Sequence, residues 1–161
     1  MRSDLSSAAL KSVSLDAAVA AFNAGDAKTA LKQARLLKNT GQHQAEAVYV
    51  ESLALMASGA MARVSQLLVR HEAVLAATPE GVALARHAWG RYHLLQQKPQ
   101  NALPLLQAAA RSLAGNQACL LDLADAQMIA GQNDEALATL FQTLALNAAD
   151  ARVLASISRC F

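Results

Sequence analysis

The sequence predicts an all-α fold, an α-solenoid of about eight to nine helices packed as antiparallel pairs. Three observations carry that expectation. Apolar residues recur at spacings of three and four along most of the chain, the period of a helix with one buried stripe. Gly, Asn, Asp and Pro punctuate the pattern at helix-length intervals. Small residues return at a fixed distance from successive turns. Composition agrees: 54 % of the 161 residues are hydrophobic, many of them Ala, and only 4 % are aromatic. Ala has the highest helix propensity and lets neighbouring backbones approach.

Residues 1–12 are polar and Ser-rich and are expected as a flexible leader. Leu15, Ala18, Val19 and Phe22 then begin the helical period. Gly25-Asp26 ends that helix and caps the next, the glycine admitting a left-handed turn and the aspartate accepting from free N–H groups. The second helix is expected to bury Ala34 and Leu37 together with either Leu31 or Ala30, and to present Lys28, Lys32, Arg35 and Lys38 on an opposite, solvated face. After the break at Asn39-Thr40-Gly41-Gln42, helices are expected over 45–58 and 63–77. Thr78-Pro79-Glu80 combines a cap, a proline at the first helical position and an acid in the positive first turn. The helix it starts runs through Trp89 to Leu95, and Pro99 opens another that reaches about Leu113. Asn116 caps the next, Asn133-Asp134-Glu135 opens its partner, and a further helix follows Asp150.

Self-similarity orders these elements. The turn residues Gly25, Gly59, Gln97 and Gly131 are separated by 34, 38 and 34 residues. Five after each stand Ala30, Val64, Ala102 and Ala136; nine after each stand Ala34, Leu68, Leu106 and Leu140. Seven before each stand Ala18, Ser52, Gly90 and Ala124, all small, marking where the two helices of a pair cross closely. Ser158 continues that column, and Leu154, Ile157 and Phe161 repeat the first-helix pattern once more.

With Leu123, Ala124, Gly131, Asp134, Glu135, Ala136, Leu144 and Leu146 in its best copy, and Trp89-Gly90 and Ala102 in the one before, the chain resembles the tetratricopeptide repeat family. The resemblance implies helix–turn–helix units stacked into a right-handed superhelix, here near 13–44, 45–82, 83–116 and 117–150, with a fifth begun at 151–161. Glu51 and Arg86 depart from the family's large apolar residues, Ala148 from its proline and Gln97 from its turn glycine. The unfinished fifth copy leaves two expectations open: a fragment of a longer polypeptide, or a last helix that serves as the cap.

No catalytic constellation emerges. His43, His71, His87 and His93 are never four apart, and the sequence holds no HExxH, GxSxG or phosphate-cradling glycine loop. Cys119 and Cys160 have no CxxC spacing, so neither a metal site nor a disulfide framework is expected, and no cofactor. Cys119 is expected in the core. Asp122 and Asp125 share an apparent solvated helix face. A net charge of +2, with dispersed basic residues, argues against nucleic acid. Without a signal peptide or an apolar run of roughly 18 residues, neither secretion nor a membrane is expected, and the cytoplasm is the default.

The resemblance implies instead a protein or peptide partner on the concave side, which the first helix of each pair lines. Tyr49, Leu53, Met56, His87, Arg91, Leu94, Asp125 and Met128 are the residues expected there, a row of adaptable apolar groups beside a polar patch of His87, Arg91 and Asp125. The alternative is that these groups pack against each other or an N-terminal segment, with Arg91 and Asp125 an inter-repeat ion pair. The lysine–asparagine cluster with which family members hold chaperone tails is replaced by Leu, Val, Tyr and His. Two further expectations follow. Such arrays can precede a sulfotransferase, glycosyltransferase or aspartyl/asparaginyl hydroxylase domain, making this the N-terminal module of a larger enzyme. The last helix can also pack against a second copy.

Overall fold

The structure, a computed structural model, describes residues 15–148 and 150–161. The leader expected at 1–12 lies outside the described residues. All regular structure among them is helical: α1 (15–23), α2 (Ala27–Lys38), α3 (Gln44–Ala57), α4 (Met61–Arg70), α5 (Glu72–Ala76), α6 (Pro79–Leu95), α7 (Pro99–Ser112), α8 (Gln117–Ile129), α9 (Asn133–Leu146) and α10 (Ala151–Arg159). None is long and apolar enough to cross a membrane.

The starts follow the sequence signals. Asp26 accepts from the Thr29 N–H at 3.1 Å, Thr78 from Gly81 at 3.0 Å, Asn116 from Cys119 at 3.0 Å and Asp150 from Arg152 at 2.8 Å. Each bond satisfies a donor that a helix leaves open at its first turn. The stretch expected as one helix over 63–77 is two. His71, at φ −105° and ψ 19°, separates α4 from α5. The bend brings α5 against α3 as well as α4 and buries Leu75.

The chain forms two compact units, Met1–Ala85 and Arg86–Phe161. In the first, α3 is the centre. It packs on α2 and α4, and every residue from Ala47 to Met56 is buried. In the second, α8 packs on α7 and α9, and α10 on α9. Its core has two centres. Ala102, Leu106, Leu123 and Ala126 join α7 to α8, and Ala124, Leu140 and Val153 join α8, α9 and α10.

The repeat columns are the packing columns. Ala30, Val64, Ala102 and Ala136 are all 0 % exposed, and Ala34, Leu68, Leu106 and Leu140 at most 1 %. Gly25, Gly59 and Gly131 take φ of 82°, 79° and 79°, and Gln97 follows them at 63°. The turn requires a left-handed residue, and Gln97 adopts that conformation at a cost of roughly 1–2 kcal/mol for an L side chain. Ala18, Ser52, Gly90 and Ala124 are buried where their pairs cross. Ser158 is exposed, and α10 buries Val153 and Ser156 instead.

Candidate functional site

In the second unit, α6, α8 and α10 surround a depression of about 510 Å³. Leu94 and Leu95 of α6 and Met128 and Ile129 of α8 supply its apolar surface, and Leu95 and Ile129 are 50 % and 62 % exposed. Arg91, Asp122, Asp125 and Arg159 supply its charge.

The charges are built from beneath. His87 is 0 % exposed, and its Nε2 lies 2.7 Å from Asp122 Oδ2. The same oxygen is 3.6 Å from Arg91 Nη1, a charge contact beyond hydrogen-bond length. A buried imidazole therefore fixes the carboxylate, and the carboxylate steadies a guanidinium at the edge of the depression. On its other side Arg159 Nη2 lies 3.4 Å from Asp125 Oδ1 and donates to Ser156 Oγ at 2.7 Å. Burial holds the Asp125 carboxyl above its ordinary range, and Arg159 opposes that shift. Cys160 Sγ lies 3.3 Å from Met128 Sδ. Cys119 is buried in the helix, where desolvation, with Asp122 adding to it, pushes its thiol up to about 12.

Of the eight residues expected on a binding face, the structure brings Arg91, Leu94, Asp125 and Met128 together. The other four are placed differently. Tyr49, Leu53 and Met56 lie on α3 of the first unit at 8 %, 3 % and 5 % exposure, and His87 is wholly buried beneath Asp122. Packing around α3 covers Leu53 and Met56, whereas Tyr49 lines a separate depression of the first unit.

Three pairings also differ from expectation. Arg91 contacts Asp122, whereas Asp125 takes Arg159. Asp122 is 8 % exposed and held, so it is not on a solvated face. Half of the basic face of α2 is occupied internally: Arg35 Nε and Lys38 Nζ donate to Glu51 at 3.1 and 2.7 Å, and Glu51 is 4 % exposed. Lys28 and Lys32 remain exposed.

Arg159 escaped the sequence analysis although a signal existed, since it stands 34 residues, one repeat, after Asp125. The His87–Asp122 pair spans 35 residues, one off the repeat, and only the packed helices reveal it.

Helix pairs turning through left-handed residues, with small residues at each crossing, define a helical-repeat protein. The model of a family described as tetratricopeptide repeat matches residues 93–160. Solved tetratricopeptide proteins share the fold. A thermophilic TPR protein from Thermus thermophilus gives a TM-score of 0.66 at 19 % identity, over 93 % of this chain and 80 % of that one. MamA MSR-1 gives 0.56 at 22 % identity, over 93 % and 84 %. Another crystal structure of MamA gives 0.57 at 16 %, over 94 % and 80 %. At such identities the likeness is one of fold. No curated protein matches the sequence.

Proposed function

We propose that the chain is a protein-interaction scaffold without chemistry of its own, and that a peptide or protein segment lies on the face formed by α6, α8 and α10. The observation that carries this reading is the convergence of Arg91, Leu94, Asp125 and Met128 on one apolar depression with charged edges. An aliphatic side chain of the partner would enter between Leu94 and Met128. Met adapts to varied apolar partners because its unbranched thioether has three rotatable bonds. Arg91 and Asp125 would orient the segment through polar contacts at the rim, where they give specificity more than affinity. His87 acts as a positioning residue, holding Asp122 and through it Arg91.

The test is capture with the full chain. Replacing Arg91→Ala and Met128→Ala together is expected to remove a bound protein from pull-downs while circular dichroism keeps the helical signal. Identical capture by both proteins would reject the face.

A second reading, self-association through α10, has its own observation. Leu154 of α10 and Phe161, two residues beyond the end of that helix, are 51 % and 91 % exposed.

A further inference from the structure

The first unit holds a second depression, of about 380 Å³, between α1, α3 and α6. Its floor is apolar: Leu15 and Val19 from α1, Tyr49 and Val50 from α3, and Leu84 from α6. Each of the three helices also contributes one carboxylate to the lining, Asp16, Glu46 and Glu80, and among the described residues no Lys, Arg or His lines it. Asp16 and Glu80 are exposed and Glu46 is half-buried. Glu46 and Glu80 lie in the first turns of α3 and α6, where the positive end of a helix favours an acid. That preference accounts for Glu46 and Glu80 singly. It does not account for three acids from three helices around one apolar floor, with Val19 left 40 % exposed.

We propose that this groove binds a cationic, apolar segment of a partner protein, in which Lys or Arg is flanked by large aliphatic side chains. Like-signed carboxylates above low-dielectric walls sum to a negative potential that draws in a cation and repels an acidic competitor. The floor takes the aliphatic flanks, and removing that apolar area from water supplies most of the affinity. Charge therefore selects the segment and burial retains it. The chemistry differs from that of the second-unit depression, where two arginines balance two aspartates. The two sites accept different segments, and this inference stands without the other.

The experiment uses the full chain and two fluorescein-labelled amphipathic peptides of about 12 residues. One carries Leu at helical spacing with Lys between; its twin carries Glu in place of Lys. Anisotropy is expected to show the Lys peptide binding at least about tenfold more tightly than its twin, with the difference shrinking as salt rises. Glu46→Gln with Glu80→Gln is expected to weaken the Lys peptide about tenfold. Ala20→Trp, which fills the groove from the exposed side of α1 and leaves every charge in place, is expected to weaken it as much. Arg91→Ala with Met128→Ala is expected to change nothing, separating this groove from the second-unit face. Equal binding of the twin peptides would overturn the proposal. So would unaltered binding by Ala20→Trp, which would reduce the effect to diffuse charge attraction. A wild-type dimer that the double Gln variant dissolves would assign the groove to a second copy, and the proposal would fall.

Discussion

Glu51 is a buried acid at a position where the family places an apolar side chain, and its two partners explain how the chain tolerates it. Arg35 and Lys38 stand 16 and 13 residues earlier and keep 48 % and 21 % of their own side chains exposed. Removing both cations leaves the carboxylate buried and unanswered, which costs several kcal/mol in other proteins. Arg35→Ala with Lys38→Ala is therefore expected to lose about 3 kcal/mol in urea denaturation at pH 7. Glu51→Leu, which lets both cations return to water, is expected to stay within about 1 kcal/mol of wild type. A loss equal to that of the double Ala variant would show that the cations matter for packing and not for charge. Gln97 gives the opposite sign. At φ 63° it occupies a turn where three equivalent positions carry glycine, so Gln97→Gly is expected to gain about 0.5–1 kcal/mol. Asp125 links the candidate site to pH. Its folded carboxyl titrates above the ordinary value near 3.9, because burial penalises the charge. A carboxylate raised in this way contributes stability that is complete below its unfolded value and is lost as pH rises through its folded one. Asp125→Asn is therefore expected to hold or raise Tm at pH 7 and to flatten the decline just above pH 4. A steeper decline in the variant would place the raised carboxyl elsewhere.

Many helix boundaries were legible because α2, α6, α8 and α10 start on a side-chain cap and α7 on a proline, and because Gly25, Gly59, Gln97 and Gly131 turn the chain in left-handed conformation. The bend at His71 was not. Residues 70–72 contain neither Gly nor Pro, and the break is made by packing that turns α5 toward α3. Helix crossings were legible as small residues, and Gly90 shows the physical limit. A Cβ there would lie 2.7 Å from the Leu106 side chain, which is fully buried and has no room to withdraw. Alanine in mid-helix gains up to about 1 kcal/mol of propensity over glycine. Overpacking a core costs about 1–3 kcal/mol. Gly90→Ala is accordingly expected to be net destabilising by about 1 kcal/mol. With Leu106→Ala, which by itself opens a cavity, the two changes are expected to cost less than their sum, since each relieves the other. Strict additivity in denaturation midpoints would mean that α6 and α7 shift apart instead of clashing.

For the whole molecule, the array was readable from periodicity alone, because the same small and large residues recur wherever two helices must cross. The binding surface was half readable. Positions repeat, but which of them face outward depends on local packing, and Leu53 and Met56 of α3 are buried where the corresponding Arg91, Leu94, Asp125 and Met128 of α6 and α8 border an open depression. The charged pairs were the least readable, since Asp122 and Glu51 find partners at offsets set by helix rotation. The outward side of α10 raises the remaining question, that of assembly. Its inner side packs Val153, Ile157 and Cys160 into the second unit. Leu154 and Ser158 of α10 and Phe161 just beyond its end are exposed, Ser158 in the register at which Ala18, Ser52, Gly90 and Ala124 meet a crossing helix. A second copy of α10 could cover that surface, because a small residue between two large ones permits close approach in a two-fold pair. If this surface drives self-association, light scattering is expected to show a mass that rises with concentration. Leu154→Lys with Phe161→Lys is then expected to hold the protein at the monomer mass without loss of helix, because neither side chain contributes to the core. A wild-type monomer at high concentration would reject self-association, and an oligomer that survives both lysines would move the contact to another surface.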